Sequence, residues 1–173
     1  MGPMEWTGQV FADKPTVAVS THIDAKPDTV WELVTDIYLM PRLSSELQEV
    51  AWLDGATEPA IGRRFTGRNR HQAIGEWKSV STIVEADAPN RFAWAVGDPE
   101  FPSSLWRFSI RDEAQGCTLE QWMQLGPGPS GLSSAIDAMP DKEQTLVFVR
   151  LREFEAAIQV NLAAIKDLAE RGA

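Results

Sequence analysis

The sequence predicts an α+β fold: a curved, seven-stranded antiparallel sheet gripping a long C-terminal helix, with two short helices after the first strand. Three observations predict it. Short runs rich in Val, Ile, Thr and aromatic residues alternate with Gly, Pro and Asn turns from residue 48 to residue 125, the punctuation of antiparallel hairpins. Residues 141–171 instead place Val147, Leu151, Phe154, Ile158, Leu162, Ile165 and Leu168 three and four apart, the period of one helix face. Such a helix, following an antiparallel sheet, must bury its stripe against that sheet.

Residues 1–15 read as an N-terminal arm in which Trp6, Val10 and Phe11 can dock on a single domain filling 16–173. Residues 16–24 alternate, with Val17, Val19, Thr21 and Ile23 on one face of a first strand. Lys26-Pro27 opens a short helix, because proline suits the first helical turn. Asp36 can cap a second helical piece, Pro41 interrupts it, and residues 43–47 offer one more turn. Strand two covers 48–53 and ends at Asp54-Gly55; strand three covers 64–71. Strand four runs from 76 to 86, and Pro89-Asn90 turns into strand five at 91–96. A longer loop through Gly97, Pro99 and Pro102 precedes strand six at 104–110. Gln115-Gly116 leads into strand seven at 117–125, whose inward frame stays open, Trp122 included. Residues 132–139 form one short helix, and Asp141 with Gln144 offers a capping box for the last.

A length of 173 residues suits one domain with a sizeable core. The net charge of −9 argues against a nucleic-acid partner, and the basic cluster Arg63, Arg64, Arg68 and Arg70 would be split between the faces of its strand. Cys117 is the single cysteine, so no internal disulfide forms and a cytoplasmic setting is expected. No apolar run reaches the ~20 residues that a spanning helix needs, so no stable membrane insertion is expected.

The chemistry-bearing residues are few. Gly126, Gly128 and Gly131 match a dinucleotide-binding spacing, but Pro127 and Pro129 sit inside it and the strands before it are antiparallel. That segment is expected to gate a cavity instead. With two distant histidines and one cysteine, no metal site is expected, and no cofactor either. His71 follows Phe65, Gly67 and Asn69 by alternation, so it can stand at a pocket mouth as acid or base, with Glu76 across the Gly75 turn as its orienter. His22 falls on the outer face of its strand. Trp77, Phe92, Trp94, Trp106 and Phe108 fall on neighbouring strands in compatible parity. Either they pack a core or some of them wall a cavity. On the last helix Phe154, Ala157, Ile158 and Asn161 share a face; Asn161 bonds a ligand or ties the helix to the sheet, while Arg150 and Glu153 read as an exposed pair.

The element order resembles that of the START-like, polyketide cyclase/dehydrase (SRPBCC) superfamily with its helix-grip fold. The likeness is carried by Ile23-Asp24-Ala25 through Val30-Trp31, by Asp36 and Pro41, and by Gly62-x-x-Phe65 and Trp77. Pro89-Asn90-Arg91-Phe92-Ala93-Trp94 and the terminal helix complete it. The resemblance implies binding of a small hydrophobic or aromatic molecule between sheet and helix. Phe65, Asn69, Trp77, Phe92, Trp94, Trp106, Phe108, Phe154 and Asn161 would contact it. Two other readings stand beside it: a cyclase- or dehydratase-like enzyme working through His71 and Glu76, and a regulatory or interaction module with a filled core. A homodimer through a sheet edge or the arm is compatible with all three.

Overall fold

The computed structural model describes residues 4–172. β1 (Thr16–Ile23) is followed by α1 (Pro27–Val34), a 3-10 turn at Ile37–Leu39 and α2 (Met40–Leu43). Then come β2 (Leu47–Trp52), β3 (Arg64–His71), β4 (Gly75–Asp87), β5 (Arg91–Asp98), β6 (Phe101–Asp112) and β7 (Cys117–Leu125). α3 (Gly131–Ala138), a 3-10 turn at Pro140–Lys142 and α4 (Glu143–Arg171) complete the chain. All seven strands form one antiparallel sheet in the order β1-β7-β6-β5-β4-β3-β2. Strands two to seven are a meander, and β1 returns to pair with β7, Thr16 opposite Gln124. The predicted helix-grip architecture is present.

Alternation sets the two faces of the sheet. Val17, Val19 and Ile23 of β1 and Cys117, Leu119, Gln121, Met123 and Leu125 of β7 are buried on the concave face, which α4 crosses. Trp122 therefore belongs to the convex face, where the Arg107 guanidinium lies 4.4 Å over its ring. From α4 the core receives Val147, Leu151, Ile158, Leu162 and Ile165, the stripe read from its periodicity.

Local chemistry moves several boundaries. Pro41 begins α2 instead of interrupting a helix, because a proline in the first turn costs no hydrogen bond; the turn expected at 43–47 has ended by Ser44. The long loop expected around residues 97–102 is a tight turn: β5 continues to Asp98 and β6 starts at Phe101. Pro102 is tolerated there because it pairs with Gly97 beside a register shift and lies beyond the first residue of β6 paired to β7, Ser104. The capping box sits one helix earlier, at Ser130 and Ser133 of α3. At α4, Glu143 and Gln144 instead hold the arm: Glu143 accepts from the Phe11 N–H at 3.0 Å and Gln144 donates to the Gly8 carbonyl at 2.9 Å. Arg64, Arg68 and Arg70 share the convex face, not both, and Arg64 and Arg68 pair with Asp54 and Glu49.

Candidate functional site: a hollow between sheet and helix

The concave face does not pack solidly against α4. Small residues stand on this face, Gly67 on β3, Ser79 and Ser81 on β4 and Ser104 on β6, with Gly67 opposite Ser79, Phe65 opposite Ser81, and Val96 opposite both Ser81 and Ser104. A Cβ at Gly67 would stand 3.0 Å from both Leu47 Cδ1 and Ser79 Oγ, so this position admits nothing larger without displacing the rim. What remains is a cavity of about 230 Å³.

Its walls are aromatic. Trp94 and Trp106, opposite each other on β5 and β6, stack with ring planes 7° apart and centroids 6.2 Å apart. Phe154 of α4 meets Trp106 edge-on at 5.3 Å, and Phe65 and Phe108 flank Trp94 at 6.4 and 5.9 Å. Trp77 lines the same space. Phe92, expected among the contacts, does not; it is fully buried against Trp31 and Trp94 and serves as packing behind the wall.

Polar side chains, several of them serines, interrupt the aromatic walls, and some pair with one another. Asn69 Nδ2 donates to Ser79 Oγ at 3.3 Å, and Trp106 Nε1 donates to Ser104 Oγ at 3.0 Å. Asn161 Nδ2 reaches Gln121 Oε1 at 3.5 Å, tying helix to sheet, while its buried Oδ1 finds no donor among the described residues. Ser130, Gly131 and Leu132 also line it, so the glycine-proline segment borders the cavity.

The mouth is where the structure departs most from the expected site. Arg150 is not exposed: its side chain is 8% accessible, lies 4.2 Å over the Phe154 ring, and forks onto Glu46 at 2.7 and 2.8 Å. Glu153 stands 3.5 Å from the same guanidinium through Oε1 and 2.7 Å from His71 Nε2 through Oε2. Glu76, the expected orienter, is exposed on the convex face opposite Arg70, because one residue of alternation separates it from the concave row. His71 lies beside the cavity in a more open groove shared with Arg70, Gln72 and Glu153, and does not line the hollow itself. The Ala73 N–H donates to its Nδ1 at 3.0 Å, which leaves the ring proton on Nε2, facing Glu153. Both ring nitrogens are engaged, Nδ1 by the Ala73 N–H and Nε2 by the Glu153 carboxylate.

Among the described residues no group of three His, Cys, Asp or Glu side chains could hold a metal ion, and no helix is long and apolar enough to cross a membrane. Sequence reasoning missed Arg150, Glu46 and Gln121 as lining residues. For Arg150 a signal existed: it lies three residues after Val147 and four before Phe154, on the inward stripe. Glu46 sits in a short connection with no period to read.

The family model described as polyketide cyclase / dehydrase and lipid transport matches residues 14–170. No curated protein matches the chain. Among solved structures, the Polyketide_cyc-like protein Cgl2372 from Corynebacterium glutamicum is 25% identical, with a TM-score of 0.63 over 91% of this chain and 92% of that one. The di-domain ARO/CYC StfQ from the steffimycin biosynthetic pathway has a TM-score of 0.70 at 12% identity; the match covers 91% of this chain and 51% of StfQ. DR_A0006 from Deinococcus radiodurans gives 0.62 at 14% identity, over 92% of this chain and all of that one. At identities of 12 and 14% the last two likenesses speak to the fold alone.

Proposed function

The chain belongs to the polyketide cyclase / dehydrase and lipid transport family, and from that premise we propose that it binds a small hydrophobic or aromatic molecule in the hollow between sheet and α4. The observation that carries the reading is the 230 Å³ space itself, walled by the stacked Trp94–Trp106 pair and by Phe65, Phe108 and Phe154. Apolar walls with a few placed polar groups are what a small-molecule site needs. Trp77, Asn69 and Asn161 are the remaining contacts assigned to the ligand. Phe92 supports Trp94 from behind.

A cyclase- or dehydratase-like reaction is the second reading, favoured by the polar groups Asn69, Ser79 and Gln121 in the lining. In that case positioning in the hollow would supply the acceleration. His71 and Glu76 are poor candidates for its acid and base, the one with both nitrogens engaged and the other on the far face.

The test uses the indoles as reporters. Titration with the neutral probe N-phenyl-1-naphthylamine is expected to quench tryptophan emission saturably, and Ser81→Leu, which fills the hollow, is expected to abolish the effect while the protein stays folded by circular dichroism. Equal quenching by both proteins would overturn the proposal.

A further inference from the structure

Among the described residues the cavity wall contains one cation, Arg150, and its charge is already spoken for. Glu46 takes both terminal nitrogens in a bidentate pair, the strongest geometry a guanidinium offers. The guanidinium face rests on Phe154, and Glu153 borders it on the more exposed side. Glu46 also lines the cavity, so among the described residues the lining carries Arg150 and Glu46 as its only charged groups, and they cancel. An anionic ligand entering this space would have to sit unpaired among indole rings or pull Arg150 away from Glu46. The first leaves a charge in apolar surroundings, and the second strands the Glu46 carboxylate, whose side chain is only 24% accessible.

We propose that Glu46 sets the charge class of the ligand: by occupying Arg150 it reserves the hollow for uncharged molecules and excludes carboxylates and sulfonates. This rests on the binding reading above and deepens it. Glu46 therefore acts on specificity through Arg150, without any need to touch the ligand. Without Glu46 the same wall would present a partly buried guanidinium stacked on an aromatic ring, a site that favours an aromatic anion.

Two probes with one aromatic body separate the cases: neutral N-phenyl-1-naphthylamine and its sulfonate, 1-anilinonaphthalene-8-sulfonate. The wild-type protein is expected to bind the neutral probe about ten-fold or more tightly than the sulfonate, the scale of one charge-assisted hydrogen bond. Glu46→Gln is expected to raise the ratio of sulfonate to neutral-probe affinity about ten-fold. Because Glu153 could take over the freed guanidinium, Glu46→Gln/Glu153→Gln is the fuller form of the test. Adding Arg150→Met to either variant is expected to erase the gain, and the neutral probe confirms that each variant keeps its hollow. Wild-type protein that binds neither probe would refute the binding reading. Wild-type protein that binds both equally, or a Glu46→Gln/Glu153→Gln variant that binds the neutral probe without gaining the sulfonate, would refute the role of Glu46 alone.

Discussion

At Arg150 a long polar side chain lies inside an apolar wall because its guanidinium is accommodated twice, by Glu46 at its edge and by the Phe154 ring beneath its face. Removing one partner of such a pair leaves the other half-desolvated. Arg150→Ala is expected to cost about 2 kcal/mol in urea denaturation, less than a fully buried broken pair costs because Glu46 keeps some water. His71→Ala removes one hydrogen bond at the rim and is expected to cost about 1 kcal/mol with neutral-probe affinity unchanged. Glu113 offers a pH reading. The Thr118 hydroxyl, then the Arg111 guanidinium, hold its carboxyl below the usual carboxylate range. A carboxyl lowered in the folded state contributes stability above its unfolded value and loses it as pH falls through the folded one. Carboxyl NMR titration is expected to find Glu113 titrating below an unfolded-state glutamate, and Thr118→Val is expected to move it up. These residues also mark the limit of sequence reading. Alternation groups His71 with Phe65, Gly67 and Asn69, but its partner lies on α4, more than eighty residues away, where no local spacing points.

At the scale of elements, the strands and α4 were legible because each has a period. β3 and β7 fall on the expected residues, and α4 was predicted from its stripe. Connections lack a period: α2 begins earlier than expected, the residue 97–102 loop is a turn, and Asp141 with Gln144 forms no capping box at α4. The cavity was legible as a set of indoles in common parity and illegible as a volume, since emptiness comes from what Gly67, Ser79, Ser81 and Ser104 leave unfilled. Ile158 shows the complementary case. It is fully buried on α4 and borders the hollow, so Ile158→Ala is expected to enlarge the space and to destabilise by about 3 kcal/mol, within the range for a large-to-small change beside a void. Differential scanning calorimetry of that variant, with and without the neutral probe, reads both effects.

For the whole molecule, ligand and fold are linked. A molecule that binds the hollow and not the unfolded chain should raise stability by about 2.7 kcal/mol at a hundred-fold excess over its dissociation constant. Thermal melts at increasing probe concentration are expected to climb accordingly. The Cys117 thiol, buried and pushed up by burial and by the nearby Asp112 and Glu113 carboxylates, should react with alkylating reagents only as fast as the sheet opens around it. The pairing of Thr16 with Gln124 also has a consequence on the ribosome. β1 leaves the exit tunnel ahead of β2 to β7 and finds its neighbour only after almost the entire meander has been translated. Until then its apolar row has no partner, so a nascent chain stalled before residue 117 should be sensitive to protease and sought by chaperones.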